Sequence, residues 1–153
     1  ISNRIGDTNY SDVQWWLEWY TATGATAVTV TVNVTYNDGT TGALAAASLA
    51  ATRPPSFMLS LNALIPAAAS GKYIRAVNTV TLSATTGTAG SFGVTATRPR
   101  MTLSAPIWNM KFTADWAQLG FPEIFNESCL FPIVLTSTTS TGTVRGGGKI
   151  SHG

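Results

Sequence analysis

Residues 25–42, with the sequence ATAVTVTVNVTYNDGTTG, constrain the fold more than any other part of the chain. Branched apolar residues alternate with small polar residues from Val28 to Tyr36, and an Asn-Asp-Gly sequence follows directly. A period of two places the two sets of side chains on opposite faces of a β-strand. Asp-Gly favours a tight turn, because glycine accepts the positive φ that such turns need. The segment therefore predicts a strand over residues 28–36 and a hairpin turn after it.

The same period of two recurs along the chain, and heptad patterning does not. Two segments differ from this pattern. The alanine-rich residues 41–55 leave helix and strand both open, whereas residues 113–122 predict one or two helical turns. Many short strands with glycine-rich turns and little helix predict an all-β fold, an antiparallel β-sandwich of jelly-roll-like type with at most one or two short helices. The further strand candidates are residues 13–20, 56–61, 72–84, 91–98, 129–137 and 142–151.

The length of 153 residues predicts one folded domain. We assign residues 1–12 to an N-terminal extended segment and residues 13–153 to a single β-sandwich domain. The one cysteine, Cys129, excludes an internal disulfide framework. Because it begins the apolar run CLFPIVL, we expect it to be a small buried hydrophobic residue.

Only 10% of the residues are charged, against roughly 25% in average soluble domains. The net charge is +2, and the lysines and arginines are scattered along the chain. Nucleic-acid binding is therefore not expected, because it needs a clustered basic surface. No apolar run reaches the ~18 residues of a membrane span, so no membrane partner is expected. A weakly charged surface instead suits packing against other protein chains.

Residues able to carry catalysis are few. The only histidine, His152, is the penultimate residue, where a catalytic geometry is hard to hold. The acids Asp115, Glu123 and Glu127 lie in one loop region, and two of them could form a glycosidase pair if they were close in space, but we expect solvated loop carboxylates. One cysteine and one histidine cannot complete a zinc site. Residues 7–18 resemble a calcium loop, but Asp12 stands where that loop needs glycine. We therefore predict no enzyme activity, no catalytic residue, no metal and no cofactor.

Aromatic residues are the strongest functional candidates. In the strand VQWWLEWY, Trp15 and Trp19 are expected to lie in the core, whereas Trp16 and Tyr20 point to the other face. That second face needs cover from another layer, a partner subunit or a ligand. Protein interfaces use aromatic anchors, and sugar rings stack on aromatic platforms, so both types of contact stay open. Trp108 admits the same two interpretations.

Three segments carry a family resemblance: WWLEWYTATGATAVTVTVNVTYNDGTTG, VNTVTLSATTGTAGSFGVTATRP and TSTTSTGTVRGG. They resemble small Thr/Ala/Gly-rich virion structural proteins of tailed bacteriophages, which are usually β-sandwiches. By size and composition the nearest role is a capsid decoration, or cementing, protein. Such proteins bind the outer surface of the head as oligomers, often trimers.

The resemblance implies a virion location after synthesis in the host cytoplasm. It also implies the major capsid protein or other virion proteins as partners, and a homo-oligomer with a trimer favoured. The chain shows no long extended arm, so a tail, neck or head-fibre component, or an adhesin that binds carbohydrate through exposed tryptophans, is the alternative. We expect partner contacts from residues 3–12, the Trp16 face and residues 98–111, with these interface candidates: Tyr10, Trp16, Tyr20, Arg98, Arg100, Trp108 and Lys111.

Overall fold

A computed structural model describes residues 9–87, 90–102, 113, 115 and 128–135. The chain divides into two compact units, Ile1–Phe121 and Pro122–Gly153. The two sheets belong to the first unit, and the described part of the second unit is residues 128–135. The assignment of residues 1–12 and 13–153 to a segment and a domain stays a prediction.

The described residues of the first unit form two antiparallel sheets. In the first sheet, β1 (Gln14–Trp19) lies between β5 (Met58–Ser60) and β7 (Phe92–Thr97). In the second sheet, β2 (Val28–Tyr36) has β6 (Ile74–Leu82) on one side. The short strands β3 (Thr41–Ala43) and β4 (Ala47–Leu49) lie end to end along its other side. Two 3-10 helices follow β5, at Asn62–Leu64 and Ala67–Ala69.

The predicted alternation places the core between the sheets. The five residues of β2 that face inward, Val28 to Tyr36 at every second position, are at most 5% exposed. Their counterparts in β1 are Trp15, Leu17 and Trp19, all buried. The indole Nε1 of Trp15 donates a hydrogen bond of 2.8 Å to the carbonyl oxygen of Ile74, which joins β1 of one sheet to β6 of the other. The predicted all-β antiparallel sandwich with at most two short helices is thus confirmed for the described residues.

Five of the predicted strands and the predicted turn are confirmed. Residues 28–36 form β2 with the predicted bounds, and the candidates at 13–20, 56–61, 72–84 and 91–98 contain β1, β5, β6 and β7. The turn after β2 has Gly39 at φ +85°, and the amide of Tyr36 donates to the carbonyl oxygen of Thr40 at 2.8 Å. Glycine at that position satisfies the backbone requirement that predicted the hairpin.

Within the alanine-rich residues 41–55, the strands β3 (Thr41–Ala43) and β4 (Ala47–Leu49) form, and the other residues of this range have no helix or strand. Both β3 and β4 pair with β2, and the side chains of Leu44 and Leu49 are buried in the core. Helix propensity is a weak preference that tertiary contacts override. The free edge of β2 and the burial of two leucines therefore decide the conformation here.

The strand predicted at residues 129–137 is wrong for residues 129–135, which have no regular secondary structure. Pro132 has no N–H to donate to a ladder, and no described strand pairs with this segment. Cys129 is exposed, so its predicted burial is also wrong. The strand predicted at 142–151, His152, Glu123 and Glu127 lie outside the described residues. Of the predicted helical turns at 113–122, only Thr113 and Asp115 are described.

Candidate interaction surface

The outer face of the first sheet carries the aromatic residues that the sequence singled out. We define this outer face as the side chains that point away from the core on β1 and β7, with Tyr20 at the end of β1. Strand register aligns its members in pairs across the two strands. The pairs are Gln14 with Thr97, Trp16 with Thr95, and Glu18 with Gly93.

Trp16 is covered by its own chain. Its indole Nε1 donates a hydrogen bond of 2.8 Å to the hydroxyl of Thr97, and only 8% of the residue is exposed. A tryptophan in this state offers no flat platform for a sugar ring. The sequence had left the cover of this residue open, and the structure shows it buried within its own chain with its indole N–H bonded to Thr97. Whether Trp16 contacts a partner stays a prediction.

Tyr20 is the exposed aromatic residue of the outer face, with 56% of its surface open to solvent. Its ring lies over Gly93, where a β-carbon would come within 2.3 Å of the Tyr20 hydroxyl oxygen. The backbone beneath it is fixed, because the Tyr20 amide donates to the carbonyl oxygen of Ser91 at 2.9 Å. The Ser91 amide donates in turn to the Thr21 hydroxyl at 2.8 Å. This arrangement presents a positioned aromatic ring among hydroxyl groups.

The carboxylate of Glu18 lies on the same face, two residues before Tyr20. The hydroxyl of Thr95 donates to Oε2 of Glu18 at 2.7 Å, and both side chains are partly buried. A carboxylate that accepts such a bond is held in one orientation and offers its second oxygen to another donor. Aromatic, carboxylate and hydroxyl groups on one rigid face can bind either a polar partner surface or a glycan.

At the other end of this face, Arg98 forms an ion pair with Asp12. Its guanidinium Nε and Nη2 both donate to Oδ2 of Asp12, with the Nε contact at 2.6 Å. This pairing ties the end of β7 to the segment before β1. The positive charge of Arg98 is therefore balanced by the Asp12 carboxylate within the chain.

The other interface candidates differ in position. Tyr10 is buried at 7% exposure and has a positive φ of 61°, so it packs into the core as part of a strained turn. Arg100 is partly buried. Trp108 and Lys111 lie outside the described residues, as does most of the predicted contact segment 98–111.

A second surface, which sequence reasoning missed, lies in residues 130–135. Four large apolar side chains of this exposed segment have between 46% and 79% of their surface open to solvent: Leu130, Phe131, Val134 and Leu135. Two signals in the sequence could have identified it. Pro132 interrupts the run, and the run has no polar residues in alternation, so a strand there would have no face suited to water.

The described residues bring together few groups that could bind a metal ion or take part in catalysis. No three of their His, Cys, Asp or Glu side chains are placed to hold a metal ion. A shallow depression of about 280 Å³ on the second sheet is lined by small apolar and hydroxyl residues, with no titratable side chain among them. At the β2–β3 turn, the hydrogen bond from Lys72, with those from Thr40, holds the pKa of Asp38 well below its ordinary value. That cluster stabilises the turn.

Comparison of the chain with protein families, curated proteins and solved structures finds no match. Among the described residues, no helix has the length and apolar character needed to cross a bilayer.

Proposed function

We propose that this chain is a non-enzymatic structural protein of a phage particle, a decoration protein that binds the outer surface of the capsid as an oligomer. The observation that carries the proposal is the exposed apolar segment Leu130–Leu135. Contiguous exposed apolar side chains mark surfaces that another protein covers. The resemblance to Thr/Ala/Gly-rich virion proteins supplies the kind of partner.

The outer face of the second sheet supports the same proposal. Its side chains are hydroxyls and amides that bond to one another: Asn78 Nδ2 donates to the side-chain oxygens of Asn33 and Thr35 at 3.2 and 3.0 Å. Such a face is polar and nearly free of charge. Neighbouring copies can approach it with little electrostatic repulsion.

The mechanism that we propose is passive binding. A β-sandwich with buried tryptophans and valines provides a stiff body, and the exposed apolar side chains provide contacts to the shell. Each contact is weak, but linked contacts in an oligomer raise the overall affinity by about 10² to 10⁴ through effective concentration. The particle gains stability because bound protein favours the assembled shell.

The proposal is tested by co-sedimentation of the purified chain with empty phage heads. Binding of the wild-type chain is expected to saturate at a copy number per head that matches the symmetry of the shell. The variant Leu130→Asp/Val134→Asp is expected to lose binding, because it places two charges in the contact. The matched control is Ala67→Asp/Ala68→Asp, which adds the same two charges at exposed positions outside both proposed contact surfaces. Wild-type protein that stays in the supernatant at micromolar concentration, or equal loss in the control, would refute the proposal.

An adhesin that binds carbohydrate is the second candidate, and the exposed ring of Tyr20 over Gly93 favours it. Sugar rings would stack on this ring and bond to the Glu18 carboxylate. Glycan-array binding that survives Tyr20→Phe and is lost in Tyr20→Ala would support this role. Absence of binding by the wild-type chain, with head binding intact, would leave the decoration role.

A further inference from the structure

The apolar cover of the first sheet stops at β7. Along β1 the inward residues Trp15, Leu17 and Trp19 are at most 4% exposed. Their direct neighbours across the ladder are Ala96, Val94 and Phe92. Val94 is 38% exposed and Ala96 is also exposed, although both point toward the core side. The buried core therefore lies one strand spacing, about 4.8 Å, from exposed apolar side chains on β7. We call Val94 and Ala96 the apolar shelf.

The outer edge of β7 is also unpaired among the described residues. β1 is the only described strand that hydrogen-bonds to it. An edge strand with an open apolar shelf is a template for one more strand. The segment FGVTAT of β7 carries no charge, so an added strand would have no charge to desolvate.

The same chain carries a segment suited to that edge. Residues 130–135, LFPIVL, have no charge, no partner among the described strands and four exposed apolar side chains. Six residues in a strand extend about 20 Å, the length of the six-residue β7. We propose that residues 130–135 of a second copy of this chain bind along the free edge of β7 as an added strand.

Pro132 fixes which side chains face the shelf. In an added strand, alternate residues direct their backbone groups to the neighbouring strand, and proline is accepted only where its nitrogen faces solvent. Pro132 must therefore face away from β7. Phe131, Ile133 and Leu135 then direct their backbone groups toward β7 and share one side-chain face, which covers Val94 and Ala96. The proline also blocks the next strand, so the addition ends after one.

Exchange between copies can close because each chain carries both the proposed donor segment, residues 130–135, and the proposed acceptor edge of β7. A pair can exchange reciprocally, and a ring can exchange head to tail. The inference rests on the part of the proposed function in which the chain assembles with copies of itself. The test uses purified protein without heads, so a failure to bind heads does not change its result. If the chain proves to be a monomer, this inference fails, and head binding is still tested by co-sedimentation.

The test is the mass of the purified full chain by sedimentation equilibrium, from about 1 to 100 µM. The wild-type chain is expected to form a closed oligomer. Leu135→Asp is expected to weaken association by at least about 30-fold, the effect of losing one interface hot spot. Val134→Asp is the matched control, because it introduces the same charge at the neighbouring position. Val134 lies on the opposite side-chain face of the added strand, so this variant is expected to keep the oligomer.

A charge exchange provides the second measurement. Val94→Lys alone is expected to weaken association, and the combined variant Val94→Lys/Leu135→Asp is expected to regain at least about tenfold of the lost affinity through an ion pair between copies. A wild-type monomer at 100 µM would overturn the proposal. So would an equal effect of Val134→Asp and Leu135→Asp, or a combined variant no better than the single ones.

Discussion

The ring of Tyr20 occupies the space that a side chain at position 93 would need: a β-carbon on Gly93 would lie 2.3 Å from the Tyr20 hydroxyl oxygen. The contact joins the end of β1 to the start of β7 on the outer face of the first sheet. It explains why a glycine, which weakens a strand interior, is present in β7. The missing side chain at position 93 leaves room for the Tyr20 ring to lie close to the β7 backbone.

The first prediction concerns this contact. Gly93→Ala in the Tyr20→Ala background is expected to stabilise the protein by about 0.5–1 kcal/mol, the ordinary gain from replacing a strand glycine. In the wild-type background the gain is expected to vanish, because the Tyr20 ring must move away. Urea unfolding of the four proteins measures this coupling. Equal changes in both backgrounds would mean that the ring does not rest on Gly93.

The second prediction compares two buried tryptophans. Trp15 donates its indole N–H to the carbonyl oxygen of Ile74 at 2.8 Å, whereas Nε1 of Trp19 has no hydrogen-bond partner among the described residues. Trp15→Phe and Trp19→Phe remove the same volume from a buried site. We expect Trp15→Phe to cost about 1–3 kcal/mol more, because it leaves the Ile74 carbonyl unsatisfied between the sheets. Equal losses in chemical denaturation would contradict this role of the Trp15 bond.

The third prediction concerns the close backbone approach at Gly24. A β-carbon there would lie 2.0 Å from the carbonyl oxygen of Thr86, and backbone cannot move aside as a side chain can. Gly24→Ala is therefore expected to destabilise the protein by about 2–3 kcal/mol. Gly42→Ala is the control, because its β-carbon would meet only the Tyr36 ring, at 3.2 Å. Similar midpoints for the two variants would place Gly24 and Thr86 further apart.

The fourth prediction concerns pH. The side-chain hydrogen bond from Lys72, together with those from Thr40, lowers the pKa of Asp38 below its ordinary value. A carboxyl with a lowered pKa in the folded state stabilises the protein above the unfolded-state pKa of about 3.9. That contribution is lost as the pH falls from there through the folded pKa. Asp38→Asn is expected to remove this part of the pH dependence, and an NMR titration of Asp38 with a midpoint near 3.9 would refute it.

The sequence by itself determined the fold class and most of the strands, because alternation with a period of two is a local property. Residues 28–36 predicted β2 to the residue, and Asp38-Gly39 predicted its turn. The same local signal separated Trp15 and Trp19, which are core residues, from Tyr20, which is exposed. Alternation specifies the face on which a side chain lies.

Only the tertiary structure decided what covers each face. Trp16 and Tyr20 share one face by alternation, yet Trp16 is buried, with its indole bonded to Thr97, and Tyr20 is exposed. Residues 130–135 were apolar enough to predict a strand, but a strand forms only where a partner edge is available, and no described strand pairs with them. Pairing depends on contacts between residues far apart in the chain, which a local pattern does not contain.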